Sequence, residues 1–457
     1  MTVVFVTKGT IMAYFCHFRR RKHRMRAGIA RRNITPPVGV DLTGYIGRPG
    51  PSTRVHDNIT ATALILDDGD VRFGIISLDI LGLDLEQDKA LRQAISEATG
   101  IDQTNLLIAC SHTHAGPAIQ LLRGCGTPDE NYLRWASSQV VETVKEANAD
   151  LADATLSFTR TESDLAWNRR NWVIGAGVQQ SKTSGVITDP EVGAMIVSIQ
   201  GKEPVVAFNY ACHGVVMGND NVETSADWIG AARAAIEASP SVGSAFFLQG
   251  CCGNINPRLR GTFEEVKNAG DLVAVPLLNA IASAVPINDP RIKVAWRSVE
   301  LPYQDLPPEE ELEQEITFHR EEIRRMNAEG TAKISVQVAQ AMQWWAEDSL
   351  KTMNDGGGPV SVTIPLQVVK IGDLLIAAIP GEVFCEFSLA IRKMNKANVM
   401  VVGYANGNIG YVPTAEAFAE GGYETHNAYK YYGIKMIGPE SEGIILGAMK
   451  ELVAEVG

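Results

Sequence analysis

The chain has 457 residues, of which 45% are hydrophobic and 21% charged, and its formal net charge is −12 at pH 7. This length accommodates two or three average domains or one large α/β unit, and the composition is ordinary for a soluble globular protein. The acidic balance disfavours nucleic acid as a partner, because proteins that bind it usually present a basic face.

The first 24 residues differ in composition from the rest of the chain. A moderately apolar stretch comes first and the basic run RRRKHRMR follows it, whereas a secretory signal has its basic residues first. Lys8 interrupts the apolar stretch, which is too short for a membrane anchor. We expect residues 1–24 to be a flexible or misassigned extension, residues 25–457 to form a single catalytic domain, and no stable membrane insertion.

Cysteine usage indicates a reducing compartment. Seven cysteines are scattered along the chain without C-x-x-C spacing, and the adjacent Cys251 and Cys252 cannot easily bridge each other. Free thiols are typical of proteins that remain in the cytoplasm. The sequence therefore predicts a cytoplasmic location.

Apolar runs and turn residues predict strands and helices in alternation. In chain order the segments are a strand in GIARRN, a hairpin in ATALILDDGDVRFGIISLDILG, a helix at 84–99, a strand in NLLIAC, a helix at 129–149, strands in ATLSFTRTES, EVGAMIVSIQ and PVVAFNYACHG, a helix in DWIGAARAAIEA capped by Ser225 or Asp227, a strand in SAFFLQG, two helices across 308–350 divided near Gly330, a strand pair in SVTIPLQVVKIGDLLIAAIPGE and a strand in NVMVVGYANG. This alternation predicts an α/β fold of mixed β-sheets flanked by helices.

Several of the apolar strands run into short turns that carry reactive side chains. The turns CSHTHAGP, NYACHGV, PGEVF and GNIGYV supply His112, His114, His213, Glu382 and Tyr411. Open α/β sheets bind ligands at the carboxyl ends of their strands, and imidazoles with one carboxylate are typical zinc ligands. We therefore predict a metal site at the strand ends, although each of these residues alone would more often be structural.

The spacing of the first two histidines has a further consequence. Residues two apart on an extended segment point to the same side of the chain. One of the two can then bind the metal while the other faces the substrate.

The same motifs resemble a known family. SHTHAGP, NYACHG, GNINP, PGE and GYANGNIGYVPTAEAF…GGYE, with the opening AGIARRNITPPVG…GY, are similar to the catalytic domain of neutral/alkaline (non-lysosomal) ceramidases, from about Met25 to about residue 450. The resemblance implies that His112, His213, Glu382 and Tyr411 bind Zn²⁺.

The resemblance also implies roles for four residues around the metal. His114 would face the scissile amide, and Arg169 in WNRRNW would contact the reaction centre. Tyr423 would help to hold the substrate carbonyl, and Gly44 would line the site with its backbone.

One position departs from the family pattern. The ceramidase turn reads Gly-Asp-x-Ser-Pro, whereas this chain has Asn256 at the serine position of GNINP. A carboxamide cannot act as the nucleophile, so an acyl-serine route is excluded at this position. Asn256 can instead orient the substrate, because its side chain both donates and accepts hydrogen bonds.

These observations predict a zinc-dependent hydrolase of an amide-type C–N bond, acting through a metal-activated water. Tyr423 and Arg169 would stabilise the oxyanion, and His114 would protonate the leaving amine. A small N-acyl compound or lactam is the favoured substrate, and ceramide is less favoured. The alternatives are a metal-dependent esterase or lactonase, and a catalytically retired relative that binds a metal or ligand. Oligomers remain possible.

Two further expectations concern the surroundings of the site. A lipid-like substrate needs an apolar groove, which some of four tryptophans could line, namely Trp167, Trp172, Trp344 and Trp345. At least one of the last two is expected in the core of a helix. Asp79 in SLDILG is either a turn residue or a partner of a metal-binding histidine.

Overall fold

The computed structural model describes residues 24–173, 177–180, 187–395 and 398–457. Apart from Arg24, the predicted extension at residues 1–24 lies outside the described residues, and so does the side chain of Trp172.

Strands and helices alternate along the described chain, as the sequence predicts. The strands are β1 (Arg26–Asn33), β2 (Arg54–Val55), β3 (Thr60–Asp67), β4 (Arg72–Leu78), β5 (Leu106–Cys110), β6 (Ala152–Glu162), β7 (Ala166–Asn168), β8 (Arg170–Val173), β9 (Gly177–Gln180), β10 (Glu191–Ile199), β11 (Val205–Tyr210), β12 (Glu223–Thr224), β13 (Ser244–Gln249), β14 (Ile255–Pro257), β15 (Val285–Pro286), β16 (Ile292–Pro302), β17 (Ser361–Ile371), β18 (Leu374–Ala378), β19 (Glu382–Val383), β20 (Asn398–Val402) and β21 (Tyr411–Val412). The helices are α1 (Leu85–Thr99), α2 (Glu130–Ala149), α3 (Asp227–Glu237), α4 (Phe263–Ile281), α5 (Glu309–Glu329), α6 (Lys333–Asn354), α7 (Cys385–Lys393), α8 (Ala415–Glu420), α9 (Tyr423–His426), α10 (Ala428–Tyr432) and α11 (Ser441–Val456).

Two mixed sheets dominate the described residues. The larger sheet has the strand order β13-β11-β10-β6-β1-β3-β4-β5, with β15 paired to β6, and the smaller has the order β16-β17-β18-β20. Both combine antiparallel pairs with parallel ones, namely β4 with β5, β11 with β13 and β18 with β20. The predicted class of mixed sheets flanked by helices is confirmed.

The two sheets pack face to face, with helices on their outer faces. On β3, Ala61, Ala63 and Ile65 join the apolar cluster beneath helices α1 to α4, whereas Leu64 and Leu66 join the cluster between the sheets. Side chains alternate across a strand, so a strand with both faces buried reads as a continuous apolar run. Helices α7 and α11 cover the outer face of the smaller sheet.

The predicted helix DWIGAARAAIEA is confirmed as α3, which begins at Asp227, but the N-cap predicted at Ser225 or Asp227 is wrong. The N-cap is Ala226, whose methyl group cannot accept a hydrogen bond from the helix. The Asp227 carboxylate instead accepts the backbone N–H groups of Val216 and Met217, both at 3.0 Å. The turn that follows His213 is therefore anchored to the start of this helix.

The carboxyl ends of β5 and β11 and the turns after β18 and β20 meet at one edge of the two sheets. The backbone N–H of Cys110 donates to the carbonyl of Tyr404 at 3.1 Å, and that of Gly403 donates to Gln249 at 3.0 Å. These bonds join the two sheets where the predicted metal ligands begin.

Two other observations bear on the environment of the protein. No helix within the described residues has the length and apolar character needed to span a bilayer. The cysteines of the described residues are all buried and none of them is in a disulfide: Cys110, Cys125, Cys212, Cys251, Cys252 and Cys385.

Candidate active site

A buried glutamine fixes the two turns that carry the predicted metal-binding histidines. The Gln249 amide, at the end of β13, donates to the carbonyls of Ser111 and Cys212 at 2.9 and 3.0 Å. Each of these carbonyls immediately precedes a histidine, His112 or His213. One rigid side chain therefore sets the relative position of both imidazoles.

In each of the three histidines of the site, Nδ1 faces a backbone carbonyl. Nδ1 of His112, His114 and His213 lies 2.7 to 3.0 Å from the backbone carbonyls of Leu81, Gly44 and Ile255 respectively. A carbonyl can only accept, so each Nδ1 donates, and in the neutral form of each ring Nε2 presents its lone pair.

These lone pairs converge. One ring nitrogen from each of His112, His114 and His213 lies within 4.8 Å of the others, and the Nε2 atoms of His112 and His114 are 3.1 Å apart. Oε2 of Glu382 lies 3.4 Å from Nε2 of His112 and 3.3 Å from that of His213. Electron-pair donors at these distances repel unless a cation stands among them, so this donor set fits a divalent metal ion.

Glu382 and Tyr411 are neighbours in a short parallel ladder. Strands β19 and β21 pair these two residues directly, so their side chains leave the ladder on the same face. Two further hydroxyls hold the carboxylate, with Tyr432 donating to Oε1 at 2.5 Å and Tyr404 to Oε2 at 3.3 Å. Tyr404 also stacks on the His112 ring, with the ring centroids 4.1 Å apart.

Arg169 joins Tyr411 to Tyr423. Its guanidinium donates to the Tyr411 hydroxyl at 2.9 Å and lies 5.4 and 5.8 Å from the centroids of the Tyr411 and Tyr423 rings. Glu424 balances its charge through a 2.8 Å bond and also accepts from Arg170 at 2.6 Å. The buried Arg169 is thereby held rigidly beside both tyrosines.

Gly44 and Asn256 border the same space. The φ of Gly44 is +87°, and a Cβ atom there would lie 2.5 Å from the His114 ring, so only glycine allows the carbonyl to reach Nδ1 of His114. Asn256 pairs with Trp167 in the β14–β7 ladder and lines the cavity over the histidines.

Burial sets the protonation of the histidines. It lowers the pKa of His213 to about 4, which the Glu382 carboxylate only partly offsets. Burial, together with the neighbouring His112 and His213, also lowers the pKa of His114 well below its ordinary value. Both rings are therefore neutral at pH 7 and able to accept a cation or a proton.

The site opens into a cavity of about 570 Å³. Every residue assigned to the site from the sequence lines it: Gly44, His112, His114, Arg169, His213, Asn256, Glu382, Tyr411 and Tyr423. The rest of the lining includes the apolar side chains of Ile46, Leu122 and Ile334.

The predicted tryptophan lining is wrong for three of the four residues, whereas the core position expected for at least one of Trp344 and Trp345 is confirmed at Trp345. Trp167, Trp344 and Trp345 do not line this cavity: Trp167 donates to the Pro257 carbonyl, Trp345 packs beneath α10, and Trp344 faces solvent. Short aliphatic side chains provide the apolar lining in their place.

Asp79 does not hold a metal-binding histidine. Its carboxylate accepts from the backbone and hydroxyl of Thr60 at 2.9 and 2.8 Å and from Arg233 at 2.6 Å. These contacts join β4 to β3 and α3, so the residue is structural.

The sequence did not predict the residues that position the site residues through hydrogen bonds. Gln249 binds the carbonyls that precede His112 and His213, and it is distant in sequence from both. Tyr404 and Tyr432 donate to Glu382, and Glu424 accepts from Arg169, again across segments that are distant in sequence. Only the adjacency of Glu424 to Tyr423 offered a signal, because a carboxylate beside a site residue is a candidate partner for a nearby arginine.

Comparison with known families gives one extended match. The model of the family described as "Neutral/alkaline non-lysosomal ceramidase, N-terminal" matches residues 25–272, which is more than half of the chain. The chain is also 24% identical over 466 positions to the neutral ceramidase of Mycobacterium tuberculosis, and the match covers 84% of this chain and 70% of that protein.

Two solved structures share the fold. The neutral ceramidase from Pseudomonas aeruginosa matches with a TM-score of 0.71 at 18% identity, and a ceramidase complexed with C2 matches with a TM-score of 0.72 at 16% identity. Each match covers 94% of this chain and 74% of the other.

Proposed function

The chain belongs to the neutral/alkaline non-lysosomal ceramidase family of hydrolases, and from this membership we propose that it is a zinc-dependent hydrolase of an amide-type C–N bond. The single observation that carries the proposal is the convergence of three imidazole lone pairs and a carboxylate at the floor of a cavity. We further propose that it acts in the cytoplasm, which the buried free thiols support.

His112, His213 and Glu382 would hold the metal, with Tyr411 as a fourth ligand. A bound zinc ion would polarise the amide carbonyl and lower the pKa of a water molecule towards neutrality. Arg169 supports the role of Tyr411, because its guanidinium donates to the phenol oxygen at 2.9 Å and stabilises negative charge on that oxygen.

His114 would transfer a proton from the attacking water to the leaving nitrogen. Its Nδ1 is fixed on the Gly44 carbonyl, so Nε2 faces the cluster as a base, and the lowered pKa keeps it neutral before reaction. Nε2 would accept the proton of the attacking water and deliver it to the leaving nitrogen as the C–N bond breaks.

Tyr423 and Arg169 would stabilise the negative charge that develops on the carbonyl oxygen. Burial raises the pKa of the Tyr423 phenol, so it stays protonated and can donate. The pKa of Arg169 is raised well above its usual value: burial alone would lower it, but Tyr411 and Glu424 outweigh that effect.

Asn256 and Gly44 would position the substrate. Asn256 replaces the family's serine with a carboxamide, which binds by hydrogen bonds and cannot attack the acyl carbon. The nucleophile is therefore water, and a small N-acyl compound or lactam is a better substrate than ceramide for a cavity of about 570 Å³.

Paired substrates test the proposal. Zinc-loaded protein is assayed with amide, lactam, ester and lactone analogues of one acyl group, in the wild type, His114→Gln and the control His56→Gln, which alters an exposed histidine. We expect amide hydrolysis in the wild type and control, and a loss of about 100-fold or more in His114→Gln with zinc retained.

Other outcomes assign other functions. Hydrolysis of the esters alone would identify an esterase or lactonase. Zinc binding without hydrolysis of any analogue would identify a catalytically retired relative. Loss of zinc in His114→Gln would make His114 a ligand and contradict its assignment to proton transfer.

A further inference from the structure

The cavity wall carries an arginine that forms no ion pair with the described residues. Besides the histidines, the charged residues lining the described part of the cavity are Glu382, Arg169 and Arg260. Glu382 belongs to the proposed metal set, and Arg169 is paired with Glu424 at 2.8 Å. Arg260 has no carboxylate of the described residues within 4.0 Å of its guanidinium.

Arg260 lies on the side of the cavity where the leaving group would depart. Its positive charge acts on the Tyr45 phenol and opposes the rise of that group's pKa on burial, and the Tyr45 hydroxyl donates to the Met217 carbonyl at 3.0 Å. The Tyr45 ring packs edge-on against His114, with the ring centroids 5.0 Å apart. Since His114 would protonate the leaving nitrogen, Tyr45 and Arg260 border the amine portion of the substrate.

A second arginine strengthens the positive potential there. Arg48 lies 5.6 Å from the centroid of the Tyr45 ring. Among the described residues its guanidinium donates to the backbone carbonyls of Thr43, His114 and Asn221. Burial lowers the pKa of Arg48 to about 10, so the group is still charged at neutral pH. No carboxylate in the described chain lies within 4.0 Å of it.

The remaining lining includes both polar and apolar side chains. Asn219 and Asn256 add neutral hydrogen-bonding groups to the lining that Arg260 shares. Leu81, Leu122 and Cys125 form an apolar cluster that also lines the cavity, and Ile46 packs against it. An acyl chain suits the apolar part, and an anion suits the part that contains Arg260.

We propose that Arg260, with Asn219 and Asn256, binds an anionic group on the amine portion of the substrate, so that the preferred substrates are N-acyl compounds whose amine carries a carboxylate or a phosphate-type group. This inference rests on the proposed amide hydrolysis. Water contributes its oxygen to the acyl carbon and a proton to the nitrogen, and the C–N bond breaks. The products are an acyl carboxylate and an amine that retains the anion.

Three substrates with one acyl chain test the proposal: N-acylglycine, its neutral counterpart N-acylglycinamide, and N-acylaminomethylphosphonate. We expect wild-type kcat/KM to be roughly 10- to 100-fold higher for N-acylglycine than for the glycinamide, as for a charge-assisted hydrogen bond. Because Arg260 is exposed, the ratio should shrink as salt rises. The phosphonate shows whether a carboxylate or a phosphate-type anion is preferred.

Variants of two neighbouring arginines assign the effect. Arg260→Gln is expected to bring the ratio close to one, whereas Arg258→Gln, whose side chain lines a different cavity, should keep the wild-type ratio. Arg260→Lys keeps the charge without the planar fork and should give an intermediate ratio, so it tests the proposal even if the glutamine variant does not fold. Equal rates for the charged and neutral substrates, or a ratio that survives Arg260→Gln, would overturn the proposal.

Binding separates this inference from the proposed hydrolysis. Ketone isosteres, in which CH₂ replaces the amide NH of N-acylglycine and of N-acylglycinamide, cannot be hydrolysed at that bond. We expect calorimetry to show tighter binding of the carboxylate isostere in the wild type and a smaller difference in Arg260→Gln. Tighter binding of the carboxylate isostere without turnover of any substrate would refute the hydrolase and support the anion site. Turnover with equal binding of the two isosteres would support the hydrolase and refute the anion site.

Discussion

His112 occupies a backbone conformation that residues with a Cβ atom usually avoid. Its φ is +60°, in the left-handed region, where a Cβ atom costs about 1 kcal/mol or more. The hydrogen bond from Nδ1 to the Leu81 carbonyl and the stacking on Tyr404 hold it there. The strain is therefore offset by contacts that also aim Nε2 at the cluster.

This strain predicts an unusual order of stability. In metal-free protein, His112→Gly should have a free energy of unfolding about 1 kcal/mol higher than His112→Ala, because glycine takes positive φ without a steric cost. Urea denaturation measures the difference. Ala98→Gly in α1 is the control and should destabilise by about 1 kcal/mol, as glycine does in a helix. A less stable His112→Gly would show that the backbone is not strained.

Helices α5 and α6 form a hairpin that supports the segment carrying the site tyrosines. Trp345 of α6 donates to the Ile434 carbonyl at 3.0 Å, and its ring packs edge-on against Tyr429 of α10. Tyr432, which holds Glu382, belongs to that same short helix. Packing of α6 against α10 therefore helps to hold Tyr432, and through it Glu382, in place.

The adjacent tryptophans offer a matched test of this coupling. Trp345 is 3% exposed and Trp344 is 44% exposed. Trp345→Ala should lower the free energy of unfolding by roughly 3–5 kcal/mol and speed hydrogen exchange in α9 and α10. Trp344→Ala should change stability by no more than about 0.5 kcal/mol. Equal effects of the two substitutions, or unchanged hydrogen exchange in α10, would show that Trp345 does not support this helix.

The elements differ in how far the sequence specifies them. The hairpin of β3 and β4 and the division of α5 from α6 at Gly330 follow local rules, and the structure confirms both. Helix α4 was not predicted, because Pro276 inside it reads locally as a break.

The candidate site divides in the same way. The recurrence of reactive residues after apolar strands identified His112, His213 and Glu382 from sequence. The role of Gln249 depends on two loops being brought together by the sheet, and no local pattern encodes that distance. The same holds for Tyr432 and Glu382, whose contact joins a helix to a strand end 50 residues away.

At the scale of the whole molecule, the buried neutral histidines predict how stability changes with pH. The folded pKa of His213 is about 4, below the ordinary unfolded value of about 6.5. Between these values the unfolded chain binds more protons than the folded chain. The contribution of His213 to the free energy of unfolding is therefore fully present above about pH 6.5 and is lost as the pH falls towards 4. The loss from His213 is on the order of 3 kcal/mol, and His114 acts in the same direction.

Urea denaturation of metal-free protein at a series of pH values measures this loss. A His213→Asn variant, which cannot be protonated in this range, should show a shallower decline between pH 6.5 and 4. Identical slopes in the two proteins would show that His213 is not held neutral by the fold.

Metal binding by distant strand ends is measured by elemental analysis of purified, zinc-supplied protein. We expect one tightly bound zinc per chain in the wild type and none in a folded variant with both His112→Ala and His213→Ala. A wild type that holds no metal, or a double variant that retains it, would show that these strand ends do not form a metal site.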